Sequence, residues 1–264
     1  QLGHDFNVTP GFPLDELVSS PNVYIPFAVG YKGTSPHNMT FNGEANSVIN
    51  AIHERIKFSS WRCPVTIRQL SLAFPQHKSK FLMTGCPVLY DEPLMNGNNF
   101  DDNKESVAVT ITERGPYFDV NEFKLINFVA KQYTGIEKYL VLHQDYTSDP
   151  RAQVLHKKAI ELGFTVILPK SAKDAIDLYK QIDFHIGSRL HAHLWFLSQN
   201  KRSWLAPVDF RSKPFADHYG FHLLNYRNIE DSIDFGFDFE IIREKAKKTY
   251  EVMQLFIESL EEYD

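Results

Sequence analysis

Cysteine is scarce. Two in 264 residues, Cys63 and Cys86, cannot make a disulfide framework for a chain of this length, and a reducing compartment fits better. Long apolar runs are missing too: none reaches the roughly 18 residues needed to span a bilayer. No basic run exceeds Lys247-Lys248, and the formal net charge is -5, which argues against a nucleic-acid-binding face. No signal-like segment follows Gln1, and an opening glutamine is not expected to be a natural start. No His/Asp/Cys spacing suggests a metal site, and no repeat of 20–50 residues is visible. The two sequons, Asn7-Val8-Thr9 and Asn38-Met39-Thr40, match the one or two that chance gives in about this length and carry no weight.

What is present is apolar content of 43%, enough for one large domain or two small ones. From Ser106 onward, short apolar runs alternate with helical periods. "VAVTI" (107–111), "YLVLH" (139–143), "TVILP" (165–169), "FHIGS" (184–188), "SWLAPV" (203–208) and "HLLN" (222–225) read as strands. Helices are expected over 119–133, 149–162, 171–181 capped by Ser171, the "RLHAHLWFLSQ" stretch, and 212–220. Strands alternating with helices imply parallel βαβ units with helices on both faces. The first hundred residues are sparser: strands at 22–30, 58–61 and 80–85, and helices at 44–56 and 64–74, the latter with Pro64 in its first turn. The Asn- and Asp-rich "YDEPLMNGNNFDDNKES" reads as a linker, and 238–263 as a long amphipathic helix with no strand after it. The expected organisation is a partial first Rossmann-like lobe over 1–90, a linker over 91–105, a second lobe over 106–237, and a closing helix over 238–264.

The chemistry concentrates where "DFHIGSRLHAHLWFL" (183–197) changes from strand to helix. In open α/β sheets ligands bind outside the carboxyl ends of the strands. A helix N-terminus there offers free N–H groups and a partial positive charge to an anion. Gly187 lets the backbone turn closely, Ser188 can cap, and Arg189 adds a planar cation suited to phosphate or carboxylate. His191 titrates near neutrality and can move a proton. His193 is its rival, because positions 189 and 193, not 189 and 191, share a face of a regular helix. Structural roles are open to both: many of the eleven histidines have no chemistry to do.

These residues resemble the polysaccharide pyruvyl transferase family, whose hallmark is Arg-Leu-His after an apolar strand ending in Gly-Ser or Gly-Thr. Here that is Arg189-Leu190-His191. "WLAPVDFRSKPFADHYGF" is similar to the family's Asp-x-Arg segment, with Asp209 and Arg211 at those positions. "SSWRCPVTIRQL" resembles its first-lobe strand, arginine and helix, pointing to Arg62, and "FLMTGCPVLY" resembles its strand ending Gly-x-Pro. "NVYIPFAVG" looks like the strand before a ligand loop. The likeness spans most of 22–225. The family's glycine-rich opening turn and about a hundred residues of first lobe are missing, and Cys63 stands where Asp or Gly is more usual.

The resemblance implies a two-lobed architecture of the glycosyltransferase type B kind, with an incomplete first lobe, a cleft between lobes, and a last helix crossing back. It implies transfer of the enolpyruvyl group of phosphoenolpyruvate to a saccharide or lipid-linked saccharide, giving a pyruvate ketal and phosphate. No cofactor is implied beyond that donor. His191 and Arg189 take the catalytic roles. Arg62, Ser188, Leu190, Arg211, Asp209 and His193 are expected to bind substrate. The implied setting is the cytoplasm, at the membrane periphery if the acceptor is lipid-linked, as a step of exopolysaccharide synthesis. Two other readings remain open: a nucleotide-sugar glycosyltransferase, for which Glu113 is too isolated a ribose ligand, and a non-catalytic carbohydrate-binding relative. Cys63 and Cys86 read as buried, inert thiols. His143, at the end of its strand, reads as a hydrogen-bonded histidine that supports its neighbours rather than touching a ligand.

Overall fold

A computed structural model describes residues 5–6, 19–30, 40–97, 103–112, 118–145, 148–208, 212–233 and 238–263. In chain order its strands are β1 (Asp5–Phe6), β2 (Thr40–Phe41), β3 (Ser59–Trp61), β4 (Phe81–Met83), β5 (Ser106–Thr110), β6 (Glu137–Val141), β7 (Thr165–Ile167), β8 (Phe184–Gly187) and β9 (Ser203–Leu205). Its α-helices are α1 (Gly43–Arg55), α2 (Pro64–Ala73), α3 (Glu92–Asn96), α4 (Phe118–Gln132), α5 (Pro150–Glu161), α6 (Ala172–Lys180), α7 (Leu190–Ser198), α8 (Ser212–Tyr219), α9 (Ile229–Ser232) and α10 (Phe239–Glu258). No helix among the described residues is long and apolar enough to cross a membrane.

The chain forms two compact units. One gathers the described residues of 1–90, 209–220 and 240–264; the other those of 91–208 and 221–239. The second is an α/β, Rossmann-like unit. Its sheet has the order β7-β6-β5-β8-β9 and every pairing is parallel. The pleat sends Val107 and Val109 of β5, with Phe184 and Ile186 of β8, into one core with Leu125, Ile126 and Val129 of α4 and Leu155 and Ala159 of α5. Ala108, between them, faces the opposite way, toward Tyr179 of α6 and Ala192 and Phe196 of α7. Both faces are covered, as a parallel sheet requires, and β5 and β8 read as mainly apolar runs for that reason, with His185 the exception in β8. The order reverses between β5 and β8: β6 and β7 build outward from β5 on one side, β8 and β9 on the other.

In the first unit β3 and β4 pair in parallel, over a core of Ile49, Trp61, Leu70, Phe74 and Phe81. Asn42 caps α1 by accepting from the Ala45 N–H at 2.8 Å, and Pro64 opens α2.

Three local expectations come out differently. The run 22–30 is not a strand. It lies along β3, with Ser60 N–H donating to the Pro26 carbonyl and Val29 N–H to the Ser60 carbonyl, yet keeps one bridge, Val29 to Trp61. Ala28 adopts φ of 48°, which breaks an extended run. The Asn- and Asp-rich stretch is more than a linker. Asp91 caps α3 through the Glu92 N–H, Pro93 sits in its first turn, and Leu94 is fully buried. Asn200, at the end of α7, donates to the Pro93 carbonyl at 2.5 Å, and Gln199 donates to Asp91. Residues 91–97 therefore belong to the second unit, whereas 212–220 and 240–263 group with the first. The short strand at 222–225 reduces to one bridge, Leu205 to Leu223.

Candidate functional site

The joint between β8 and α7 lies at the carboxyl edge of the second unit's sheet, beside the end of β5. That is the point where the strand order reverses, and where open α/β sheets leave a crevice. The approach is close. A Cβ on Gly187 would stand 2.3 Å from the Thr110 carbonyl oxygen and 2.6 Å from its nitrogen, so only glycine fits.

Ser188 continues the strand by donating its N–H to the Thr110 carbonyl at 2.9 Å. Its side chain turns inward and is buried. Ser188 Oγ donates to Glu122 Oε1 at 3.0 Å, and the same carboxylate oxygen accepts from the Thr112 N–H at 3.1 Å. Glu122, on α4, is itself fully buried. A carboxylate in such a place ties the ends of β5 and β8 together through the two donors that share Oε1.

Arg189 is the N-cap residue of α7, and no side chain caps that helix. Its own N–H donates to Thr110 Oγ1 at 3.2 Å and its Nε to the Ile111 carbonyl at 2.6 Å. The half-buried guanidinium is thus anchored by one edge on the end of β5. His191, in the first turn, is exposed. His143, after β6, is at the same edge. Its Nε2 is 2.6 Å from the hydroxyl of Tyr179, on α6. The residue is exposed as a whole, but its Nε2 is desolvated against the Tyr179 hydroxyl. That desolvation, with Arg189 and His191 as positive neighbours, pulls its pKa down to about 4. His143 is neutral at pH 7 and completes a cluster of one fixed cation and two imidazoles.

The remaining expected site residues separate. Ser188, Leu190 and His193 are buried, so their side chains hold the turn rather than face a ligand. His193 is wholly buried, its Nδ1 is 2.8 Å from Ser203 Oγ, and burial lowers its pKa to about 3. It stays neutral at any physiological pH, which removes it as the proton-handling rival of His191. Asp209, Arg211 and Glu113 lie outside the described residues. Arg62 belongs to the first unit. Its N–H donates to the Val29 carbonyl at 3.0 Å, and its side chain runs over Gly30, where a Cβ would meet Nε at 2.4 Å. Burial pushes the Cys86 thiol pKa up, opposed in part by hydrogen bonding to Arg62. Cys63 and Cys86 are both free and buried. Among the described residues no group of three or more His, Cys, Asp or Glu is placed to hold a metal ion.

Glu122 and His185 were legible as anomalies rather than as site residues. Glu122 shares the 122, 125, 126, 129 stripe of α4 with Leu125, Ile126 and Val129, so a carboxylate sits on the buried face. His185 interrupts an apolar buried strand.

No protein-family model matches the chain, and no curated protein sequence matches it. Among solved structures it is similar to the crystal structure of accessory secretory protein 1, 2 and 3 in Streptococcus pneumoniae, at 12% identity and a TM-score of 0.47, over 81% of this chain and 44% of that one. This chain spans less than half the length of that match.

Proposed function

We propose that the β8–α7 joint is the donor site of a pyruvyl transferase that forms a pyruvate ketal on a saccharide from phosphoenolpyruvate. The observation that carries the reading is the placement of Arg189 and His191. A half-buried guanidinium, anchored by Nε, and an exposed imidazole share the uncapped N-terminus of α7, at the reversal point of a parallel sheet. The donor brings a carboxylate and a phosphate, and a helix N-terminus with an arginine suits either anion.

The chemistry asks for little else. Protonation of the donor's methylene carbon leaves an oxocarbenium-like centre at the carbon bearing phosphate. A saccharide hydroxyl adds to that carbon and loses its proton. A second hydroxyl then closes the ketal as the C–O bond to phosphate breaks, and its proton leaves on the phosphate. His191 supplies the first proton and, as its conjugate base, takes the hydroxyl's. Arg189 holds the anion through the charge build-up. Arg62, Asp209 and Arg211 enter the proposal on the family resemblance alone, as do the two-lobed glycosyltransferase type B architecture and a lipid-linked acceptor.

Thermal-shift titration separates this reading from its rivals. Phosphoenolpyruvate is expected to raise the melting temperature; stabilisation by nucleotide-sugars instead identifies a glycosyltransferase, and by saccharides alone a binding protein. Phosphate release from phosphoenolpyruvate on adding a panel of saccharides then tests turnover. No release with any acceptor, from a chain that binds the donor, defeats the catalytic part.

A further inference from the structure

Thr110 on β5, His185 on β8, Ser203 on β9 and His193 on α7 are all fully buried. They form one hydrogen-bonded chain. Thr110 Oγ1 is 2.7 Å from His185 Nε2, His185 Nδ1 is 2.6 Å from Ser203 Oγ, and Ser203 Oγ is 2.8 Å from His193 Nδ1. The chain starts at Arg189, whose N–H donates to Thr110 Oγ1 at 3.2 Å. It returns to the same helix turn, because the His193 N–H donates to the Arg189 carbonyl at 3.0 Å. The result is a closed ring through three strands and the first turn of α7.

Apolar side chains of the same shape would stabilise this core at least as well, since four polar groups must first be desolvated. What such a ring adds is a fixed geometry. Counting protons gives it a direction. Ser203 has one hydroxyl proton, so it cannot donate to both imidazoles. Thr110 already accepts from Arg189. The arrangement in which every hydroxyl proton has an acceptor within the ring runs one way. Thr110 donates to His185 Nε2, His185 Nδ1–H donates to Ser203, and Ser203 donates to His193 Nδ1. His193 then carries its proton on Nε2, which is buried without a hydrogen-bond partner among the described residues, and its ring packs edge-on to the Phe221 ring at a centroid separation of 4.5 Å. Burial keeps both imidazoles neutral, His185 well below its usual pKa and His193 at about 3, so neither becomes a double donor that would break the sequence.

We infer that this ring is a positioning device for the anion-binding turn: His185, through Thr110, Ser203 and His193, fixes the Ser188–Arg189–Leu190 backbone and with it the aim of the Arg189 guanidinium. The link to donor binding rests on the proposed function; the direction of the hydrogen bonds does not.

The test has three readouts. Nitrogen NMR of the intact chain should find the Nδ1–H tautomer at His185 and the Nε2–H tautomer at His193, unchanged between about pH 6 and 8. His185→Leu should speed hydrogen exchange at the Arg189 amide about tenfold beyond any change in global stability. It should also weaken phosphoenolpyruvate binding about fivefold or more. Phe196→Leu, altering the ring stacked on His185 at 5.3 Å, is the packing control and should change neither beyond its effect on stability. Reversed or averaged tautomers in the unaltered chain overturn the inference without any variant, even if His185→Leu fails to fold. Unchanged Arg189 protection in a folded His185→Leu overturns it as well. A chain that binds no phosphoenolpyruvate defeats the proposed function, and the tautomers and amide exchange still decide the ring.

Discussion

His185 and His193 share one hydroxyl: Ser203 Oγ lies 2.6 Å from Nδ1 of the first and 2.8 Å from Nδ1 of the second. One histidine is on a central strand, the other on the helix that follows it, and both are wholly buried. A hydroxyl so placed can serve two neutral imidazoles, one as donor and one as acceptor. Two imidazolium ions would both donate to it, leaving its own proton without an acceptor in the ring and two charges buried side by side. The core of the second unit is therefore built for the neutral forms alone.

Stability should fall with acid well above the range in which carboxylates titrate. Burial lowers His53 in the first unit to about 4 and His193 in the second to about 3, and it lowers His185 as well. The unfolded chain takes up these protons below about pH 6.5, while the folded chain does not. The stabilisation from each histidine is thus complete above pH 6.5 and is lost as pH falls from there toward the folded value, at up to about 1.4 kcal/mol per pH unit per group. The pKa values of Asp149 and Asp177 are lowered, so these carboxylates act only at lower pH. Urea unfolding at pH 8, 7 and 5 should show little change over the first interval and a clear drop over the second. A flat profile down to pH 5 contradicts the neutral, buried assignment.

Gly187→Ala should be among the most damaging single-methyl additions in the chain. The new Cβ meets three atoms of Thr110, two of them backbone, at 2.3–2.6 Å, and the β5–β8 pairing has no flexible side chain to yield. Overpacking of this kind costs about 3 kcal/mol. Gly43→Ala is the control: it stands in the first turn of α1 with nothing within 4 Å among the described residues, and should be neutral or slightly stabilising. Denaturant midpoints of the two variants measure the contrast, and equal midpoints would count against the close β5–β8 approach.

Much of the second unit was legible because its strands are buried on both faces. "VAVTI" and "FHIGS" are short, mainly apolar runs, and they became β5 and β8 almost at the expected bounds. The first unit was less legible where one residue decides the backbone. Nothing in "NVYIPFAVG" announces that Ala28 takes a positive φ. The linker reading failed for a different reason. Its Asn and Asp content hid an ordinary helix start, Asp91 as cap with Pro93 two positions on. At the site, the strand-to-helix joint was visible, but the inward turn of Ser188 was not. Its partner, Glu122, lies 66 positions earlier, and no local pattern brings the two together. The same holds for Thr110, His185 and Ser203, whose ring exists only once three strands are side by side.

Arg189→Ala is expected to weaken phosphoenolpyruvate binding about tenfold or more, the loss of one charge-assisted anion contact of about 1.5–3 kcal/mol. The variant keeps the backbone N–H bonded to Thr110 while it loses the side-chain anchor on the Ile111 carbonyl, so the turn should survive. Calorimetric titration measures the affinity, and amide exchange along α7 checks that the helix start is intact. Donor binding unchanged in a folded variant takes Arg189 out of the site.

His191 and His193 should fail in opposite ways. His191 is exposed in the first turn of α7, so His191→Ala should leave the denaturant midpoint nearly unchanged. If it carries the proton to the donor's methylene carbon, turnover should fall about 10²–10⁴-fold, with a smaller effect on donor affinity. His193 is buried, and His193→Ala leaves Ser203 Oγ without one of its partners and opens a gap beside Phe221. Its signature should be a loss of about 1–3 kcal/mol of stability from the unpaired hydroxyl. Urea unfolding and turnover, measured on both variants, separate a surface group that does chemistry from a buried group that holds the turn. Undiminished turnover in His191→Ala would end its role as the acid and leave His143 at the same edge, on Tyr179 and neutral at pH 7, as the next imidazole to replace.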